Sequence, residues 1–174
     1  MNRVGELRKI RSDKKQDIKP HIPFSLYDLI DRLSYITRKP IKDIGELLCI
    51  KGLDSSFVLD SLSLYFTRDY SSQGTIYIAQ SDDSSRRIKI KAKKRRISLR
   101  FNPHDHNRLI NLSHALGLTV ASTTSLLLIY AATDIHIIQN IVQSEGHLGN
   151  NRVKEARYVL KKAKKGVWKY EATR

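Results

Sequence analysis

The stretch from Lys94 to Ala132 constrains the fold more than any other part of the chain. Its first residues, from Arg96 to Phe101, alternate between apolar and polar side chains, which predicts a strand with two unlike faces. One face carries Ile97, Leu99 and Phe101, and the other carries Arg96, Ser98 and Arg100. A strand that is merely half-buried in a core does not need an arginine-rich face. We therefore expect this strand to contact a ligand through its polar face.

Two helices are predicted directly after this strand. Asn102 is the expected N-cap of the first, with Pro103 at the first helical position and Asp105 in the first turn. Gly117 suits the left-handed end of that helix, and Thr119 is the expected N-cap of the second. The expected buried residues are Leu109, Leu112, Ser113 and Leu116 in the first helix and Val120, Thr124, Leu127, Leu128 and Ala131 in the second.

A single strand leaves its backbone groups unpaired, so this one needs a partner. Two antiparallel strands form a ribbon, and a ribbon fits the major groove of B-DNA. The order of basic strand, Asn102-Pro103 cap, helix, Gly117 and second helix resembles the ribbon-helix-helix fold of the Arc/MetJ superfamily of DNA-binding proteins. The resemblance covers about forty residues. It implies that the backbone at the start of the second helix binds a DNA phosphate, although these first turns lack the usual charged residue.

These arguments give three sets of expected DNA contacts. Arginine can bond guanine bidentately and serine is permissive, so the residues expected to read bases are Arg96, Ser98 and Arg100. The residues expected at phosphates are Lys93, Lys94, Arg95, Thr119, Val120, Ala121 and Ser122. Secondary contacts are expected from Lys91, Arg152, Arg157, Lys161 and Lys164.

The whole chain is predicted to be mainly α with short β-strands, an α+β fold. The predicted order is a basic arm (1–17), an N-terminal helical unit (18–70), a β-hairpin or basic linker (71–93), the ribbon-helix-helix module (94–145) and a basic C-terminal helix and tail (146–174). In the helical unit, Ser25 is the expected first N-cap, Pro40 separates two helices, Gly52 is an expected C-cap and a third helix runs from 57 to 66. The expected hairpin strands are 75–79 and 87–91.

The segment before the first helix raises the question of a second copy of the module. Ile22 and Phe24 suit the inward face of a strand, and Lys19 and His21 suit its outward face. A ribbon could then form within one chain. However, Pro20 and Pro23 remove backbone donors that a ribbon uses. The sequence therefore favours a ribbon between two chains, in a homodimer or higher oligomer on DNA.

A net charge of +15 among 174 residues indicates a polyanionic partner, nucleic acid first and an anionic membrane surface second. The favoured function is a cytoplasmic, nucleoid-associated DNA-binding protein. It would act as a transcriptional repressor or regulator, or as an accessory protein at a plasmid or phage site. The alternatives are an RNA-binding or ribosome-associated protein, a protein-interaction module, and a basic sheet edge without a ligand. Catalysis, cofactors and a metal site are not expected, since Cys49 is the only cysteine and His104 and His106 diverge on a helix.

Overall fold

The computed structural model describes residues 14–79, 92–144 and 149–164. Within these ranges there are seven helices, which are α1 (Phe24–Thr37), α2 (Ile41–Asp54), α3 (Ser56–Ser63), α4 (Pro103–Leu116), α5 (Val120–Thr133), α6 (Ile135–Gln143) and α7 (Asn150–Lys164). Six short strands accompany them, which are β1 (Gln16–Ile18), β2 (His21–Pro23), β3 (Tyr70–Ser72), β4 (Thr75–Tyr77), β5 (Lys94–Arg96) and β6 (Leu99–Phe101). The prediction of a mainly helical α+β fold is confirmed.

The arginine-bearing strand pairs with the N-terminal segment of the same chain. β1 is antiparallel to β6, with Gln16 opposite Phe101, and β2 is antiparallel to β5, with Pro23 opposite Lys94. Both pairings follow one register, so residues 16–23 and 94–101 form a single two-stranded ribbon. The expectation that two chains build this ribbon is therefore wrong for the structure, because the paired edge is already occupied from within the chain.

The two prolines interfere with this ribbon less than the sequence suggested. The Pro20 carbonyl accepts a hydrogen bond from Ile97 N at 3.1 Å, and Phe24 N donates to the Lys93 carbonyl at 3.2 Å. Opposed residues of an antiparallel ladder alternate between bonded and non-bonded pairs, so Pro23 falls at a non-bonded position where no N–H is required. Only Pro20 removes a ladder bond, and the regular strands are interrupted there.

The two halves of the chain repeat one arrangement. Each has a ribbon strand followed by two helices of 14 residues, α1 and α2 in the first half and α4 and α5 in the second. All four helix boundaries of one half differ from those of the other by 79 residues. With the same offset Lys19 corresponds to Ser98, and these two residues lie opposite each other at the middle of the ribbon register. The ribbon is thus pseudo-symmetric about that point.

The core lies beneath the ribbon, where α2 and α5 pack together. The inward side chains Ile18, Ile22, Ile97, Leu99 and Phe101 are all buried. Two glycines of α2 permit the close packing. A Cβ on Gly45 would lie 2.7 Å from Leu99 Cδ2, and one on Gly52 would lie 3.1 Å from Ala131 Cβ of α5. The prediction of Gly52 as a helix C-cap is wrong, because α2 continues to Asp54 and Gly52 serves a helix–helix contact.

The helix ends after the arginine strand follow the predicted local signals. Asn102 Oδ1 accepts a hydrogen bond from Asp105 N at 2.8 Å, and Thr119 Oγ1 accepts one from Ser122 N at 3.2 Å. Gly117 has the left-handed conformation, with φ of 64°. The first half differs, since Pro23 rather than Ser25 occupies the N-cap position of α1 and makes no side-chain cap bond.

The connection between the halves also differs in detail from the prediction. α3 ends at Ser63, three residues before the predicted Phe66, and β3 pairs with β4 through a turn at Gln73 and Gly74. The hairpin therefore uses Tyr70–Ser72 as the partner of Thr75–Tyr77. The predicted strand at 87–91 lies outside the described residues, as does most of the predicted arm (1–13).

The C-terminal helix packs on α1 and α6. Arg32 of α1 donates to Glu155 of α7 at 2.5 Å and to Asp28 at 2.9 Å, and its guanidinium lies 4.9 Å from the centre of the Tyr158 ring. These two carboxylates raise the pKa of Arg32, Asp28 first. Among the described residues no single helix has the length and apolar character to cross a membrane, and only α4 and α5 taken together, bent by 94°, would meet that criterion.

Candidate nucleic-acid interface

The outward face of the ribbon consists of exposed polar side chains from both strands. They are Asp17, Lys19 and His21 from the N-terminal strand and Arg96, Ser98 and Arg100 from the second strand. In the register, Asp17 lies opposite Arg100 and His21 opposite Arg96, with Lys19 and Ser98 between them. These are the non-bonded positions of the ladder, where facing side chains lie closest. The three predicted base-reading residues are therefore on one surface, and the structure adds three more beside them.

Asp17 organises one end of this face. Ser98 Oγ donates a hydrogen bond to Asp17 Oδ1 at 2.7 Å, and Lys19 Nζ lies 2.9 Å from Asp17 Oδ2. The Ser98 hydrogen bond, followed by the bond from Lys19, lowers the pKa of Asp17 below its ordinary value. Arg100 lies opposite and contributes a smaller attraction. Ser98 is consequently bound to a carboxylate rather than free to contact a base.

The other end of the ribbon is cationic. Lys93, Lys94, Arg95 and Arg96 are all exposed. The Arg95 guanidinium lies 4.0 Å from the centre of the Tyr27 ring of α1, a cation–π contact that holds this side chain beside the ribbon. Arg96 lies opposite His21. Among the described residues, the outward face therefore has a carboxylate near one end of the ribbon, whereas basic side chains and an imidazole lie at the other end.

Two of the residues predicted to bind phosphate at the start of α5, Ala121 and Ser122, line a cavity beside the cationic end. The cavity has a volume of about 370 Å³ and is lined by His21, Lys94, Leu118, Ala121, Ser122, Ser125 and Leu126. The start of α5 has no acidic residue in its first turn. The N-terminal backbone amides of a helix attract anions, so this cavity combines a helix terminus with the ammonium of Lys94.

The corresponding place at the other end of the ribbon holds a carboxylate. Glu46 of α2, equivalent to Ser125 by the 79-residue offset, accepts a hydrogen bond from Arg100 N at 2.8 Å and lies 3.7 Å from Lys15 Nζ. Asp43 lies in the first turn of α2. Both acids repel an anion at this helix terminus. The two ends of the ribbon are thus related in backbone geometry but opposite in their preference for phosphate.

The predicted secondary contacts are dispersed. Arg152 is half-buried with its guanidinium 5.8 Å from the centre of the Tyr35 ring, so it packs between α7 and α1. Arg157 and Lys161 are exposed on α7, the helix that packs on α1 and α6. Lys164 is the last residue of α7, and its side chain lies outside the described part of the structure, as does Lys91.

The sequence did not identify Asp17 and Glu46 as part of this surface. It named Lys19 and His21 as outward residues of a possible second strand, and they do point outward. Phe24 was expected to face inward but is 51% exposed at the start of α1, whereas Ile18 and Pro20 are buried instead. The signal that could have found this strand is the constant offset of 79 residues between the two helix pairs.

Comparisons with known proteins give no relative for this chain. No protein-family model matches it, and no significant match was found among curated proteins or solved structures. Within the described residues, no three His, Cys, Asp or Glu side chains are placed to share a metal ion.

Proposed function

We propose that the protein binds double-stranded DNA sequence-specifically by inserting its intrachain ribbon into the major groove, as a single-chain form of the ribbon-helix-helix arrangement. The observation that carries the proposal is the exposed outward face of a continuous two-stranded ribbon, with arginines on it and a buried apolar face beneath. Arg96 and Arg100 are the base-reading residues of the proposal.

The dimensions of the ribbon suit this role. Its two strands are about 4.8 Å apart, and the B-DNA major groove is about 12 Å wide, which leaves room for side chains on both sides. Outward residues repeat at every second position, about 6.7 Å along a strand. From the pair Asp17–Arg100 to the pair His21–Arg96 the face therefore extends about 13 Å, or about four base-pair steps of 3.4 Å.

Phosphate contacts would fix the position of the ribbon in the groove. Ala121 and Ser122 of α5 line the same cavity as Lys94, and Thr119 and Val120 precede them at the start of that helix. Lys93 and Arg95 add exposed cations at that end. A net charge of +15 provides a general attraction to DNA that decreases steeply with salt. The chain would be anchored most strongly at its cationic end.

In a cell this activity would belong to a transcriptional repressor or regulator, or to an accessory protein at a plasmid or phage site, acting at the nucleoid. One chain supplies one complete ribbon. Several chains could then occupy neighbouring grooves as a homo-oligomer on DNA.

The test is selection from a random duplex library with the purified protein, followed by binding measurements on the selected site. The variant Arg96→Ala with Arg100→Ala should lose site preference, by roughly 5- to 150-fold for each arginine, while keeping salt-sensitive general binding. The matched control is Lys51→Ala with Lys154→Ala, which removes the same charge outside the ribbon and should keep the preference.

The same preparation should be offered structured RNA as a competitor at fixed salt. The deep, narrow major groove of A-form RNA excludes side chains, so RNA should compete only through charge. RNA that competes better than the selected duplex, or a double arginine variant with unchanged site preference, would refute the proposal.

A further inference from the structure

We propose that Asp17 is a specificity-determining residue, which accepts a hydrogen bond from the N4 amino group of a cytosine and makes the recognised DNA site asymmetric. This inference rests on the proposed function, because it assigns a base preference to one end of the same ribbon.

The placement of Asp17 supports a role at the DNA surface. It is exposed on the outward face, between the inward Ile18 and the strand end, and directly opposite Arg100. Its two carboxylate oxygens are oriented by Ser98 Oγ at 2.7 Å and Lys19 Nζ at 2.9 Å. An ionised carboxylate has about four acceptor positions, so two remain for a further donor. The side chain is therefore held in place and still able to accept.

The chemistry of a carboxylate selects among the base edges in the major groove. Guanine presents only acceptors there, N7 and O6, and phosphate oxygens are also acceptors, so both are repelled. Cytosine presents the N4 donor. Adenine has a donor at N6 but an acceptor at the neighbouring N7, which faces the second carboxylate oxygen. Asp17 thus weakens binding to most DNA and weakens it least where cytosine lies beneath it, which gives specificity at the expense of affinity.

The asymmetry follows from the repeat of the chain. By the 79-residue offset, the counterpart of Asp17 in the second strand is Arg96. Equivalent places on the ribbon thus carry a carboxylate and a guanidinium, which favour cytosine and guanine respectively. A palindromic site would present equivalent groups to both places. We therefore expect Arg96 to contact guanine at one end of the site. About four base-pair steps away, Asp17 should contact a cytosine beside the base that Arg100 reads.

The experiment is library selection with the wild-type protein and with Asp17→Asn, Asp17→Ala and Asp60→Asn. Asp60 is exposed on α3, off the outward face of the ribbon, so Asp60→Asn removes one negative charge without changing that face. The wild-type motif should be non-palindromic, with a cytosine at one position preferred by roughly 5- to 150-fold. Asn bonds adenine N6 and N7, so Asp17→Asn should change that position to adenine.

Asp17→Ala should bind unrelated duplexes more tightly than wild type and show no preference at that position. The control variant Asp60→Asn should keep the preference for cytosine. A wild-type motif that persists unchanged in both Asp17 variants would overturn the role of Asp17, while leaving the proposed function intact. A palindromic wild-type motif would overturn the asymmetry. If the wild-type protein selects no motif at all, the proposed function fails, and this inference fails with it.

Discussion

A disulfide across the middle of the ribbon tests its intrachain pairing directly. Lys19 and Ser98 lie opposite each other in the register, at a non-bonded position where Cα atoms of antiparallel strands are about 4.5 Å apart. That distance is within the range that a disulfide spans. We therefore expect the double variant Lys19→Cys with Ser98→Cys to form an internal bridge on mild oxidation.

The expected stabilisation is large because the bridge closes a long loop. The two positions are 79 residues apart. The chain-entropy relation gives about 4.5 kcal/mol for a loop of this length, and engineered bridges usually deliver less. A gain of about 2–4 kcal/mol would raise the melting temperature of a chain of this size by about 4–16 °C. Cys49 should not interfere, since it is buried and its burial raises the pKa of its thiol.

The assay compares oxidised and reduced protein by non-reducing electrophoresis and by thermal unfolding. The oxidised variant should migrate as a compact monomer and unfold at a higher temperature, and a reductant should remove both differences. The single variant Ser98→Cys is the control and should remain monomeric. Covalent dimers of Ser98→Cys, together with no internal bridge in the double variant, would show that the ribbon forms between chains and would refute the intrachain pairing.

Three further outcomes follow from the structure. Leu99→Ala should destabilise the fold by about 2–5 kcal/mol in chemical denaturation, because Leu99 is fully buried under the ribbon, whereas Ile76→Ala at an exposed position should change stability by less than about 0.5 kcal/mol. Asn102→Ala should cost about 1 kcal/mol by the same measurement, since it removes the N-cap of α4. In an NMR titration the Asp17 carboxyl should have a lowered pKa, and Ser98→Ala should move it back towards the ordinary value. A lowered pKa favours the folded state above the ordinary Asp pKa, and that contribution is lost as the pH falls through the lowered value.

Signals contained within a few residues predicted local structure well. Asn102 and Thr119 cap the beginnings of α4 and α5, and Gly117 caps the end of α4. Each cap is predicted from the neighbouring sequence, and the structure has the same helix ends. Gly52 shows the limit of such signals. A glycine near a helix end resembles a C-cap, but its position in the structure is explained by Ala131, which is 79 residues away along the chain.

The partner of the arginine strand was predicted wrongly for a related reason. Pro20 and Pro23 predict a poor ribbon strand, but the effect of a proline depends on whether the backbone at its position must donate a hydrogen bond. The register determines whether a proline falls at a hydrogen-bonded position, and it is set by pairing with residues 94–101. The roles of Asp17 and Glu46 depend on the same pairing, because each contacts a residue of the second half. The sequence suggests two strand–helix–helix units, but it does not show that the strand of one unit pairs with the strand of the other.

The distance along the chain between the two ribbon strands has a consequence for folding during synthesis. Ile18 and Ile22 are synthesised before α1, yet the strand that pairs with them is complete only when residue 101 has been added. The α5 residues that contact Gly52 come later still. Until then the first half has an open strand edge and an uncovered apolar helix face, a state that is prone to aggregation. The growing chain is therefore most prone to aggregation after the first half has been synthesised and before α5 has been completed.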